Sequence, residues 1–177
     1  PTGHGPRLAV DRVFAVKGRG TVVTGSLRGG DVGTGDVLRL VPGAPDVREV
    51  RVREVQVRGA VAAAASGGRT AFLLAGVDPE TVRRGRVLTT DPGVVATSRV
   101  LVAVLPAARL APGVPPDAPG DRERFRFHAG TESAAALLIR GPREDVGLGD
   151  GSRLALLRLD AEVATAAGDR FALRRSS

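Results

Sequence analysis

The sequence lacks cysteine, methionine, tryptophan and tyrosine, and it has only two histidines, His4 and His128. Without cysteine the chain can form no disulfide, no cysteine-based metal site and no thiol nucleophile. Two histidines far apart in sequence also do not make a histidine-rich metal cluster. Because no second histidine and no Ser-His-Asp pattern accompanies His128, we expect it to bond a nearby backbone group and expect no catalytic residue or metal site.

Aromatic residues and long apolar runs are scarce as well. Five phenylalanines are the only aromatic side chains, so the core must consist of valine, leucine and alanine. So few rings argue against a surface that stacks single-stranded nucleic acid. The longest apolar runs, such as 100–106, are far shorter than a membrane span, and no signal peptide is visible. We therefore expect a cytoplasmic protein with no membrane partner.

Positive charge is what the sequence has in excess. Its net charge is +7, and Lys17 is the one lysine among 26 basic residues. Residues 1–92 carry 14 basic and 9 acidic groups, so this half holds most of the excess. Such an excess favours an anionic partner, although a solvated arginine surface would give the same count.

Short β-branched runs separated by glycine and proline predict an all-β fold. In the first half we predict strands over 7–16, 21–28, 37–41, 46–58 and 69–75, and in the second half over 97–105, 123–128, 134–139, 154–159 and 168–174. Residues 61–66 are predicted as a connection, 76–80 as a turn and the start of a short helix, and 111–121 as a proline-rich loop. Turn residues at 91–93 divide the chain into two small antiparallel β-barrels in tandem, over 1–92 and 97–177.

The apolar residues of 46–58 change parity halfway along the strand. Val50 and Val52 share one face, whereas Val55 and Val57 have the opposite parity. A one-residue phase change at Arg53–Glu54 predicts a β-bulge, and a bend of that kind is what a small closed barrel requires.

The segment 11–25, DRVFAVKGRGTVVTG, combines two such strands with a glycine corner. Lys17, Gly18, Arg19 and Gly20 leave backbone exposed between two cationic side chains. They could form a simple hairpin corner or a contact for a phosphate of a nucleic acid.

VFAVKGRGTVVTG resembles the start of the second domain of elongation-factor-Tu-like translation GTPases. The preceding Asp11-Arg12 and the spacing to GGR at 67–69 and AGVD at 75–78 are similar to the bacterial selenocysteine-specific elongation factors. The second half resembles the third domain of the same family through FRFHAGTE at 125–132, LALLRL at 154–159 and GDRFALR at 168–174. The resemblance therefore covers nearly the whole chain and implies the barrels that hold selenocysteyl-tRNA on its way to the ribosome.

The resemblance also says what to expect elsewhere in such a protein. The sequence has no G-x-x-x-x-G-K-[ST] phosphate loop, so we expect GTP and magnesium to bind a domain absent from this chain, and the chain alone to be no enzyme. A further absent C-terminal region would read the messenger-RNA insertion element.

Asp11, Arg12 and Arg69 match the family's aminoacyl pocket. A selenol is more acidic than a thiol, whose pKa is about 8.5, so the selenocysteyl group is anionic at neutral pH and two guanidiniums would attract it. Adjacent strand residues point to opposite faces, so Asp11 and Arg12 can share a pocket only if the strand is irregular. The alternatives are a plain cross-strand ion pair between Asp11 and Arg12, and a translation GTPase without selenocysteine selectivity.

Overall fold

The computed structural model describes residues 5–105, 119–140, 148 and 150–175. These residues form strands and turns and no helix. The chain divides into two compact units. The first contains Pro1–Ala96, Ala129–Glu132 and Val163–Arg170, and the second contains the segments between and after them. The predicted bounds 1–92 and 97–177 remain a prediction. His4 and most of the loop 111–121 lie outside the described residues.

The first unit is a closed antiparallel barrel. Its strands are β1 (Arg7–Val16), β2 (Gly20–Arg28), β3 (Val32–Gly33), β4 (Val37–Val41), β5 (Glu49–Val57), β6 (Ala60–Ala62), β7 (Ala64–Ala65), β8 (Gly68–Leu74) and β9 (Val87–Thr89). Six of them follow the order β4-β9-β1-β2-β8-β5, and pairing of β4 with β5 closes the ring. The short strand β6 pairs antiparallel with β5, and β3 and β7 form a separate two-stranded sheet. The predicted all-β class and barrel are confirmed.

The barrel interior is filled by the aliphatic side chains that the scarcity of aromatics required. Leu8, Val10, Val23 and Leu74 are completely buried, and Phe72 is the one aromatic residue in this core. Alternate residues of each strand supply this interior, so the intervening residues form the outer surface.

The predicted bulge in β5 is confirmed. Val52 pairs with Leu74 and Glu54 pairs with Leu73, so the register shifts by one residue at Arg53. Two other predictions for this half are wrong. The connection 61–66 contains most of β6 and all of β7, and Asp78–Glu80 forms a turn closed by the Thr81 amide donating to the Asp78 carbonyl, with no helix after it.

The remaining strands form one five-stranded sheet in the order β10-β13-β12-β11-β14. They are β10 (Val95–Val104), β11 (Arg124–Ala129), β12 (Glu132–Ile139), β13 (Arg153–Thr165) and β14 (Ala172–Arg175). Phe125 and Phe127 are buried, and Phe127 stacks on Phe171 with ring centroids 5.5 Å apart. His128 is exposed at the neighbouring position of β11.

The turn between β5 and β6 contains a strained arginine. Val57 pairs with Ala60, and Arg58 and Gly59 between them have φ of 53° and 84°. Both central residues of such a hairpin need positive φ, which asparagine followed by glycine adopts most readily and which costs other residues about 1–2 kcal/mol.

We therefore expect Arg58→Asn to raise the free energy of unfolding by up to about 1 kcal/mol, measured by urea denaturation. Arg53→Asn, at an exposed position within β5, is the matched control. It should destabilise slightly, because asparagine is a poor strand former. A loss of stability in Arg58→Asn would show that the arginine side chain outweighs the backbone strain.

Candidate functional site

An irregularity in β1 brings Asp11 and Arg12 to one face. Val10 pairs with Gly25 and Arg12 pairs with the next residue back, Thr24, so Asp11 is an extra residue in this strand. Val10 is fully buried and Val13 packs against the core, while Asp11 is half-buried and Arg12 is exposed. Both charged side chains therefore point outward from the barrel. The bulge explains how two neighbouring strand residues can lie on the same face.

Asp11 is joined to Arg69. Nη2 of Arg69 donates to Oδ2 of Asp11 over 3.0 Å, linking β1 to β8 across the outer face of β2. The two side chains are 27% and 60% exposed. A pair this exposed contributes about 0–1 kcal/mol to stability, so its effect is mainly to orient the guanidinium. Arg12 makes no ion pair or side-chain hydrogen bond within the described part of the chain.

Arg69 also borders a cleft of about 510 Å³ on the outer surface of the barrel. Four adjacent strands, β1, β2, β8 and β5, provide its floor, and the β1–β2 and β5–β6 turns provide its rim. The lining residues are Phe14, Val16, Arg19, Val22, Thr24, Glu54, Gln56, Arg58, Gly59, Arg69, Thr70, Ala71 and Leu73.

The floor of the cleft combines an apolar surface with an unsatisfied hydroxyl. Phe14 is 45% exposed, which is high for a phenylalanine on a barrel. Oγ1 of Thr24 is buried and has no hydrogen-bond partner among the described residues. Buried hydroxyls are nearly always bonded, so this atom is an exception, but it is covered by its neighbours and can reach a ligand only if they move. Thr24 also lies opposite Arg12 in the β1–β2 register, which brings the arginine to the same end of the cleft.

The rim is positively charged. Arg19 pairs with Glu54 at 2.5 Å, and Gln56 donates to the other oxygen of the same carboxylate at 2.7 Å. The Arg58 side chain has no ion pair or hydrogen bond among the described residues. The lining thus has three guanidiniums and one carboxylate, so an anionic or strongly polar ligand fits its charge.

The glycine corner between β1 and β2 leads into this rim. The amide of Arg19 donates to the Val16 carbonyl at 2.9 Å, and Gly18 and Gly20 have φ of 76° and 122°, which glycine adopts without strain. A Cβ added at Gly18 would meet nothing within 4 Å, so the backbone there is open to close approach. Lys17 is exposed, whereas the Arg19 side chain is held by Glu54.

Sequence reasoning missed most of the cleft. The sequence does not single out Phe14, Thr24, Gln56 or Arg58, and Glu54 marks only the bulge in β5. The cleft depends on the registers of four strands, which no local pattern reveals. The described residues contain no cluster of three or more His, Asp or Glu arranged to hold a metal ion. Within the same ranges, no helix has the length and apolarity needed to span a membrane.

No family model matches the chain. Individual relatives do. A selenocysteine-specific elongation factor of Desulfomicrobium baculatum is 31% identical over 172 residues, which is 97% of this chain and 26% of that protein. A protein of the same description from Methanocaldococcus jannaschii is 40% identical over 86 residues, or 48% of this chain and 18% of the other. The chain thus spans about a quarter or less of these relatives.

Solved structures agree with the sequence relatives. Translation elongation factor SelB from Methanococcus maripaludis, in its apo form, superimposes with a TM-score of 0.74 over 97% of this chain and 39% of its own, at 20% identity. A bacterial selenocysteine-specific elongation factor superimposes with a TM-score of 0.73 over 98% of this chain and 26% of its own, at 25% identity.

The fold and these neighbours show that the chain is similar to a β-barrel segment of translation elongation factors. More narrowly, it corresponds over nearly its whole length to part of the selenocysteine-specific elongation factors. The resemblance inferred from 11–25 and from the second half is therefore confirmed.

Proposed function

We propose that this chain provides the aminoacyl-tRNA-binding barrels of a factor that delivers selenocysteyl-tRNA to the ribosome in a GTP-dependent manner. GTP and magnesium would bind a domain outside this chain, and a further region would read the messenger-RNA insertion element. The factor would act in the cytoplasm. The observation that carries the proposal is the β1 bulge, because it directs Asp11 and Arg12 to the face where Arg69 lies.

The chemistry of selection follows from the charges of this site. Asp11, Arg12 and Arg69 have a net charge of +1, which one selenolate anion neutralises. Hydrogen bonds to charged groups contribute about 1.5–3 kcal/mol. The seryl group of the precursor is neutral and would leave the positive charge unmatched, so it is penalised as well as less attracted.

The cleft beside Arg69 would receive the aminoacyl end of the tRNA. Its volume of about 510 Å³ suits a small ligand group. Phe14, Val22 and Leu73 supply apolar contacts in the cleft, and Gln56 and Arg69 supply polar ones. At the rim, Lys17, Gly18, Arg19 and Gly20 would lie against a tRNA phosphate, with Lys17 as the free cation of that group.

Binding of selenocysteyl-tRNA and seryl-tRNA with the same tRNA body tests the proposal. The complete factor carrying this segment would be used with a non-hydrolysable GTP analogue. We expect a preference for the selenocysteyl end that falls about 10- to 100-fold in Arg12→Ala and in Arg69→Ala, the effect of one charge-assisted hydrogen bond. Arg53→Ala, which removes an exposed arginine of β5 outside the cleft lining, should leave the preference unchanged.

Equal binding of the two ends, unaffected by either substitution, would contradict the proposal. That result would favour the alternative function, in which the barrels belong to a translation GTPase that binds tRNA or the ribosome without selecting selenocysteine.

A further inference from the structure

Val10, the residue immediately before the β1 bulge, makes hydrogen bonds that lie beyond the regular pairing of β1 with β9. Regular pairing of β1 with β9 ends at Ala9 and Val87. Beyond it, the Val10 amide donates to the Arg86 carbonyl at 2.9 Å, and the Val10 carbonyl accepts from the Gly85 amide at 3.1 Å.

The Val10 carbonyl also accepts a side-chain hydrogen bond. Oγ1 of Thr131 donates to it at 2.7 Å, although the two residues are 121 positions apart in sequence. Thr131 belongs to the segment Ala129–Glu132, which is part of the first unit. It lies in the sequence HAGTE at 128–132, part of the segment that resembles the third domain of the selenocysteine-specific elongation factors.

The neighbours of Thr131 fix this segment against the same backbone. Gly130 has φ of 58°, and a Cβ added there would contact the Ala9 side chain at 3.7 Å. A Cβ added at Gly85 would lie 2.2 Å from Oε2 of Glu132, so the carboxylate occupies the space that the glycine leaves. Burial and the Arg83 charge lower the pKa of Arg86, and the charge of Glu132 opposes that shift.

We propose that Thr131 is a positioning residue that orients Asp11 and Arg12 through the Val10 carbonyl, and so sets the selectivity of the aminoacyl pocket. The Val10 carbonyl and the Asp11 amide share one rigid peptide plane. A hydrogen bond that fixes the carbonyl therefore also fixes the Asp11 amide nitrogen and Cα, from which the Asp11 side chain leaves the strand. Because Asp11 orients Arg69, the effect extends to both partners of the ion pair. The selectivity part of this inference rests on the proposed function.

Two substitutions separate the hydroxyl from the shape of Thr131. Thr131→Val keeps the shape and removes the hydrogen bond, whereas Thr131→Ser keeps the hydroxyl. Thr21→Val is the matched control, because Oγ1 of Thr21 likewise donates to a backbone carbonyl, that of Val77, away from the bulge. In the complete factor we expect Thr131→Val to reduce the preference for the selenocysteyl end about 3- to 10-fold, the scale of one neutral hydrogen bond. Thr131→Ser and Thr21→Val should keep it within about twofold.

A second readout needs no tRNA. In the 177-residue chain, the NMR resonance of the Arg69 Nε–H and the hydrogen exchange of the Asp11 amide report the geometry of the bulge. We expect both to change in Thr131→Val and to return to wild-type values in Thr131→Ser. Unchanged values in Thr131→Val would overturn the inference, as would an equal change in Thr21→Val.

The two readouts keep this inference distinct from the proposed function. If the wild-type factor selects selenocysteine and Thr131→Val selects equally well, the positioning role is wrong and the function stands. If the wild-type factor binds selenocysteyl-tRNA and seryl-tRNA equally well, the proposed function is wrong. The NMR comparison of Thr131→Val with Thr131→Ser then decides the positioning role alone.

Discussion

Replacing Arg7 with alanine is expected to lower the free energy of unfolding by about 3–5 kcal/mol, the cost of breaking a buried ion pair by removing one partner. Arg7 is only 8% exposed and Asp91 only 4%. Two guanidinium nitrogens of Arg7 donate to Oδ2 of Asp91, at 3.0 and 2.5 Å, and a third donates to Asp169 at 3.0 Å. All three residues belong to the first unit.

The reason for so large a loss is the environment of the aspartates. Without Arg7, the Asp91 carboxylate would stay buried and lose the guanidinium that donates two hydrogen bonds to it. Urea denaturation of Arg7→Ala measures the loss, with Arg53→Ala as an exposed-arginine control expected within about 0.5 kcal/mol of the wild type. Asp169→Asn should cost less than Asp91→Asn, because the Asp169 side chain is 26% exposed against 5%. A loss below about 1 kcal/mol in Arg7→Ala would refute this account.

The second large effect is expected from a single methyl group on β2. A Cβ at Gly25 would lie 2.1 Å from the Ala9 carbonyl oxygen and 3.1 Å from a methyl carbon of Leu8. Neither a backbone oxygen nor a buried leucine can move away easily, so Gly25→Ala should destabilise the barrel by about 3 kcal/mol or more, at or beyond the usual range for overpacking.

Gly25 lies opposite Val10, so this clash falls beside the bulge that presents Asp11 and Arg12. Thermal or urea denaturation measures the loss. Gly33→Ala is the control, because an added Cβ there has only ordinary contacts, the nearest at 3.4 Å, and it should stay within about 1 kcal/mol of the wild type. If Gly25→Ala were as stable as the control, the close approach of β1 to β2 would not constrain the barrel.

The sequence predicts the strands well where apolar residues alternate, and the reason is that alternation is local. The predicted first strand, 7–16, has the observed bounds of β1, and the parity change in β5 locates its bulge at Arg53. The same rule applied to Leu8, Val10 and Val13 would also have located the bulge at Asp11. That change of parity is visible in the sequence and answers the question of how Asp11 and Arg12 share a face.

What the sequence could not predict depends on distant partners. Arg7 begins a strand and would be expected at the surface, but Asp91 and Asp169 bury and neutralise it. The orphaned hydroxyl of Thr24 follows from the packing of β2 between β1 and β8, not from its neighbours in sequence. Asp78-Pro79 has the composition of a helix start, yet the chain turns after one hydrogen bond because no apolar helical face follows it.

The strand order of the barrel also determines when each strand pair can form while the chain is being synthesised. The β1–β2 hairpin can form within about 1–10 μs of its emergence. The other edge of β1 must wait for β9, because Ala9 pairs with Val87. At about 5–20 residues per second, translation adds Val87 roughly 4–16 s after Ala9. For those seconds the strand that bears Asp11 and Arg12 has an open edge, and it is then exposed to pairing with other nascent chains.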